Sequence, residues 1–144
     1  MKSLLYFKMN EKENYVIDVE SINEIIKFKE LSEIPNSAPE IIGCLKHRNK
    51  IAPIYDFEYI THGKKNELND QKIIIIIEVD NEQEKDFIGL LVNEVKNVLN
   101  IEEEKIEESP SYAKLNKGYI NLEDKILNYL DINKITNLIP EPEE

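Results

Sequence analysis

Two stretches of this sequence echo one another. Residues 43–56 lie without a gap over residues 118–131, an offset of 118 − 43 = 75. In that overlay Gly43 meets Gly118, Lys50 meets Lys125, Ile51 meets Ile126 and Asp56 meets Asp131. Upstream, Val19, Ile22 and Ile25 lie over Val92, Val95 and Val98 at an offset of 92 − 19 = 73, in the same order. Solenoid repeats run roughly 20–50 residues, so this longer period describes a small β unit present twice. Each echo has the pattern of a hairpin: strand, polar turn, strand. The turns are Arg48-Asn49-Lys50 and Glu123-Asp124-Lys125. Asn49 and Asp124 are the residues expected to take the left-handed backbone such turns need.

The remaining text reads mostly as short strands. Ser3–Met9 and Tyr15–Val19 form a hairpin through the polar stretch 10–14. Five consecutive isoleucines, Ile73–Ile77, sit inside a strand predicted over 72–79. Their stiff, branched side chains suit a pleat buried on both faces. Lys72 and Glu78 flank the run and are expected to guard it against edge-to-edge pairing. The polar stretch 80–86 reads as a turn, with 87–92 as the return strand, and 59–71 reads as a loop between halves. Helical signal is confined to the end, where Asp131 is placed to cap a helix carrying Ile132, Ile135 and Leu138 on one face. Pro140 ends it, and 140–144 is an acidic tail with too little apolar surface to fold.

The formal net charge is −11. It is uneven: residues 1–72 carry 11 Lys/Arg and 12 Asp/Glu, giving −1, and residues 73–144 carry 7 and 17, giving −10. Nucleic acid repels such a surface, because binding exchanges protein cations for condensed counterions. Cys44 is the single cysteine, so no internal disulfide can form. The N-terminus lacks a signal-peptide pattern. The longest apolar run, Ile73–Ile77, is far short of the ~20 residues that span a bilayer. A cytoplasmic protein without membrane insertion is expected.

Five stretches, taken in order, resemble the CheW family of chemotaxis adaptors. They are Asn14–Ile26, with its Tyr-x-Ile-Asp start; Ile34-Pro35-Asn36; Ile42–Asp56, ending Ile-Ala-Pro-Ile-Tyr-Asp; Ile88–Leu99; and Leu130–Ile135. No single piece is specific, but the ordered series is. The resemblance implies a domain over 1–139 made mainly of β structure: two intertwined SH3-like barrels with short helical turns and a C-terminal helix. The halves fall roughly at 14–60 and 72–132, with strands shared. It implies a scaffold with no enzymatic activity and no cofactor or metal. Its partners would be the regulatory domain of a CheA-type histidine kinase and the cytoplasmic helical hairpin of a chemoreceptor, which holds the protein at membrane-attached arrays. A divergent adaptor of another signalling pathway is the alternative, and a small β-barrel enzyme a more distant one.

The resemblance also nominates residues. Glu24 and Arg48 match an acid and a base that pair near the receptor-binding surface, and a bidentate pair is expected here. Ile22 and Ile25 match positions near the same groove, although apolar residues at such spacing are commonly core. Gly43 stands before the hairpin, either for a partner's close approach or for a tight strand crossing. The chain departs from the family's Asn-Leu-Arg-Gly at Lys46-His47-Arg48-Asn49: a polar ring replaces leucine and asparagine replaces the turn glycine. Cys44, His47 and Asp56 could suggest a nucleophile, base and acid. Cys44 and His47 are three apart in a strand, however, and so face opposite ways. His47 and His62 lack zinc-ligand spacing. The acidic runs Glu102–Glu104 and Glu107–Glu108 read as solvated turns.

Overall fold

The computed structural model describes residues 1–81, 84–110 and 113–138. The first strands are β1 (Lys2–Lys8), β2 (Asn14–Asp18), β3 (Ile22–Lys27), β4 (Ile41–His47) and β5 (Lys50–Asp56). A short helix α1 (Phe57–His62) follows, then β6 (Ile73–Asn81), β7 (Glu84–Val92), β8 (Glu94–Ile101), β9 (Ile106–Glu108), β10 (Asn116–Leu122), β11 (Lys125–Leu130) and helix α2 (Ile132–Leu138). The expected all-β class with a C-terminal helix is what forms. The tail 140–144 lies outside the described residues.

The chain divides into two compact units. One holds residues 1–20 and 94–138 and carries a six-stranded sheet in the order β8-β1-β2-β11-β10-β9. The other, within residues 21–93, carries β3-β6-β7-β5-β4. The two orders correspond strand for strand. Hairpin β1–β2 matches β6–β7, and β10–β11 matches β4–β5. In each unit the hairpins are joined by a parallel pair, β2 with β11 or β7 with β5. The extra short strand β9 beside β10 has its counterpart in an isolated bridge from Ser32 to Cys44 on β4. Along the chain, β1–β5 is one repeat and β6–β11 the other. Each unit takes its first hairpin from one repeat and its remaining strands from the other, which makes two interleaved SH3-like barrels.

The paired glycines of the echo do the same job. Each sits at a register irregularity, between Ile41 and Gly43 on β4 and between Asn116 and Gly118 on β10. A Cβ on Gly43 would lie 2.8 Å from both Leu31 Cβ and the Ser32 carbonyl oxygen. One on Gly118 would lie 2.6 Å from the Glu107 carbonyl oxygen. Another stretch of the same chain crosses at each glycine, so the strand-crossing reading of Gly43 accounts for it.

The paired aspartates match as well. Asp131 Oδ1 accepts from the backbone N–H of Asn133 at 3.0 Å and of Lys134 at 3.4 Å, capping α2 as expected. Asp56, 1% exposed, caps α1 by accepting from Tyr59 N–H, and its other oxygen accepts from Asn66 N–H at 2.8 Å. Helix α1 occupies the start of the segment expected to be loop. Its signals were an N-cap aspartate and Gly63, whose φ of 71° ends the helix in the left-handed conformation.

The isoleucine strand is buried on both faces, with Ile74, Ile75, Ile76 and Ile77 all at 0% exposure. Each such side chain contributes roughly 1.5–3 kcal/mol. It lies between β3 and β7, so its flanking charges have no edge to guard. Lys72 instead donates to Asn93 Oδ1 at 2.9 Å, and Glu78 pairs with Lys85 at 3.3 Å. The polar stretch after it is longer ladder than expected, because Val79, Asp80 and Asn81 pair with Asp86, Lys85 and Glu84. The first core gathers Leu4, Tyr6, Val16, Ile101, Ile120, Leu127 and Tyr129; the second gathers Leu45, Ala52, Ile54, Ile74, Ile76, Phe87 and Leu91.

Candidate partner-binding site

The β4–β5 hairpin turns through two residues, Arg48 at φ 50° and Asn49 at φ 65°. Positive φ at both centres is the type I′ pattern, whose twist matches that of the flanking strands. Asparagine tolerates this conformation, so loss of the family's turn glycine leaves the turn intact. The tip presents Arg48 and Asn49 to solvent, with Lys46 and Ile51 exposed behind it.

Edge strand β3 carries a register irregularity between Ile22 and Glu24, which makes Asn23 the extra residue. Bulges re-aim the neighbouring side chains. Here Asn23 and Glu24 both meet the same ring, that of His47 on β4. His47 Nε2 donates to Asn23 Oδ1 at 2.7 Å, and Nδ1 lies 3.5 Å from Glu24 Oε2. The ring packs edge-on against Phe87, with centroids 4.7 Å apart at 80°. His47 is 9% exposed; its ring packs on Phe87 while Nε2 is hydrogen-bonded to Asn23 of β3. Strands β3 and β4 are the two ends of the five-stranded order. The histidine therefore fastens the ends of the sheet to each other, a task a leucine could not do.

This geometry corrects the expected ion pair. Among the described residues Glu24 meets His47, and no ion pair joins it to Arg48. Arg48 stands exposed at the turn. Of the other nominated residues, Ile25 is 42% exposed, Ile22 is half-buried beside it, and Gly43 is buried against the chain's own Leu31–Ser32. Glu24, Ile25 and Arg48 therefore offer side chains to solvent, while Ile22 and Gly43 shape the strands that carry them.

The reading of Cys44, His47 and Asp56 as catalytic partners finds no support. His47 is committed to β3 and Asp56 to backbone amides. Cys44 is half-buried. Among the described residues no group of three or more His, Cys, Asp or Glu could hold a metal ion, and no helix is long and apolar enough to cross a membrane.

Sequence reasoning missed a polar cluster in the first unit. Tyr129 Oη donates to Asp18 Oδ1 at 2.5 Å, and Lys117 Nζ donates to Asp18 Oδ2 at 2.9 Å. The Lys117 ammonium also lies 4.5 Å from the Tyr129 ring centroid. Burial pushes the Asp18 carboxyl up, but the hydrogen bonds from Tyr129 and Lys117, with the charges of Lys117 and Lys2, outweigh it and leave its pKa below the usual carboxylate value. Burial and the nearby Asp18 carboxylate raise the Tyr129 phenol. Separations of 99 and 111 residues gave no local signal for these contacts.

A family model described as CheW-like domain matches residues 3–139. The chemotaxis protein CheW of Thermotoga maritima is 27% identical over 135 residues, covering 92% of this chain and 85% of that protein. The chemotaxis protein CheW of Rhizobium meliloti is 20% identical over 139 residues, covering 93% and 86%. The crystal structure of the scaffolding protein TtCheW from Thermoanaerobacter tengcongensis superposes with a TM-score of 0.78 at 27% identity, covering 90% of this chain and 88% of that one.

Proposed function

The chain belongs to the CheW-like domain family, as a non-catalytic chemotaxis scaffold, and from that premise we propose that it docks a CheA-type histidine kinase onto the cytoplasmic tip of a chemoreceptor. The observation that carries this reading is the family match over residues 3–139, borne by a fold whose two units repeat the same strand order. A doubled barrel offers a scaffold two related surfaces, so one small chain can hold two partners and raise their effective concentration at one place. In this reading the protein works in the cytoplasm and needs no cofactor. Glu24, Ile25 and Arg48 supply contact side chains, and Ile22 and Gly43 set the strands beneath them.

The test is a titration of the purified chain against a receptor hairpin peptide and, separately, against a kinase regulatory domain. Saturable binding to both is the expected result. Binding to neither would overturn the proposal. One observation favours a second reading, an adaptor for a different signalling pathway. Glu24 is engaged by His47 and not by Arg48, so the charge presented at the β3 edge differs from the family pattern. That reading predicts no complex with a CheA-type kinase regulatory domain in a pull-down.

A further inference from the structure

The bulge that turns Asn23 and Glu24 toward His47 recurs in the other unit without a histidine. There the register of β8 on β1 shifts across Lys96 and Asn97, between the pairs Phe7–Val95 and Leu5–Val98. The residue 75 places beyond His47 (122 − 47) is Leu122, which packs against the first core. Lys96 pairs within its own strand, with Glu94 at 2.7 Å. One unit therefore places an apolar side chain where the other places an ionisable ring. Packing alone does not call for the histidine.

Both nitrogens of that ring face oxygen. Nε2 lies 2.7 Å from Asn23 Oδ1, and Nδ1 lies 3.5 Å from Glu24 Oε2. A neutral imidazole carries one N–H, so with Nε2 donating, Nδ1 turns a lone pair toward a carboxylate. An imidazolium donates from both nitrogens. Histidine is the side chain that changes charge between about pH 5 and 8. The other charges near the ring are directed elsewhere. Lys50, its cross-strand neighbour on β5, reaches Asp86 at 3.3 Å and Glu84 at 3.9 Å on β7. Strand β7 itself meets the ring through Phe87. Lys46 is exposed on the opposite face of β4, and Arg48 is exposed at the turn.

We propose that His47 is a proton-operated clasp: a second proton on its ring binds Glu24 and fastens edge strand β3 to β4, and its loss releases the carboxylate. The Glu24 side chain is 52% exposed, so a released carboxylate is at the surface. The clasp regulates the β3 edge. That this edge meets a partner rests on the proposed function, whereas the clasp is read on the chain alone.

Urea unfolding of the whole chain and of its Glu24→Gln variant, at about pH 5.5 and about pH 8.5, tests it. In acid the substitution removes the ion pair and should lower the folding equilibrium constant about two- to fivefold. In alkali the new amide donates to the bare Nδ1 lone pair, so the effect should reverse sign. In a His47→Leu background Glu24→Gln should have one effect at both pH values, because the titrating ring is gone. Nitrogen-15 shifts of the ring, told from those of His62 by a His62→Gln variant, should show Nε2 protonated and Nδ1 bare in alkali. In acid both should be protonated. A Glu24→Gln effect of equal size and sign at both pH values would overturn the proposal. So would a pH dependence that persists without His47, or a neutral ring carrying its proton on Nδ1. These readings need no partner, so their failure is distinct from a failure of kinase or receptor binding.

Discussion

Ile42, Ile54 and Leu91 occupy in the five-stranded sheet the positions that Lys117, Tyr129 and Asp18 occupy in the six-stranded one. The register makes the match: Ile54 pairs with Gly43 as Tyr129 pairs with Gly118, and the parallel strands bring Leu91 and Asp18 to corresponding places. In one unit the three side chains are apolar; Ile54 and Leu91 are at 0% exposure with Ile42 packed against their cluster. In the other, an aspartate, a tyrosine and a lysine bond to one another at the same junction. The backbone therefore does not require either solution. What it requires at this junction is that volume be filled and every polar atom be satisfied. Dispersion and burial do that without direction or charge, whereas the polar cluster does it through geometry that titrates.

The sharpest way to break this equivalence is to empty the apolar junction. Ile54→Ala should cost about 2–5 kcal/mol, the usual range for a fully buried aliphatic cut to alanine. The loss, read by urea unfolding, should be the same at pH 3 and pH 7, since no ionisable group takes part. Next in size are the glycines. Gly43→Ala and Gly118→Ala each place a methyl group within 2.8 Å of a backbone carbonyl oxygen of the crossing strand. Each should lose about 1–3 kcal/mol. Similar losses at both would support one crossing device used twice; a loss at only one would show that the crossings differ.

Asp18→Asn tests the polar side of the comparison. It removes the charge that Lys117 and Tyr129 serve, and should cost about 1–2 kcal/mol at pH 7. The folded pKa of Asp18 is depressed, so its stabilisation is complete above the unfolded value near ~3.9. It is lost as pH falls through the folded pKa. Plotted against pH, the stabilities of the unaltered chain and of the Asp18→Asn variant should therefore run apart at neutral pH and converge in acid below ~3.9. Curves that stay parallel would mean that the cluster contributes packing and no charge.

How much of this was legible depends on the range of the signal. The repeat, the isoleucine strand and the Asp131 cap were readable, because periodicity, χ1 stiffness and capping chemistry all act over a few residues. Helix α1 was missed: Asp56 and Gly63 mark its ends, but its six residues are too few for an apolar stripe. The partner of Glu24 was not legible. A family pattern pointed to Arg48, and only the bulge at Asn23 turns β3 toward His47. The Asp18 cluster joins strands at opposite ends of the chain, where spacing carries no information. The interleaving of the repeats was legible only through the family resemblance, since parallel pairing of β2 with β11 and of β7 with β5 is a long-range choice that no local pattern records.

The finest distinction between the hairpins lies in their turns. The sequence placed the left-handed residues at Asn49 and Asp124. Asn49 has φ 65°, but in the second turn it is Glu123, at φ 56°, that is left-handed, and Asp124 is not. A left-handed glutamate costs roughly 1–2 kcal/mol relative to its preferred backbone, and glycine escapes that cost while adding freedom to the unfolded chain. The two effects oppose each other at residue 123, and the steric one is larger. Glu123→Gly should therefore stabilise by about 0.5–1 kcal/mol. At residue 124 only the entropic effect operates, so Asp124→Gly should destabilise by about 0.5–1 kcal/mol. Thermal unfolding of the pair reads opposite signs from adjacent positions in one exposed turn. Equal signs would mean that the second hairpin turns as the first does, and that the two tips differ in charge alone.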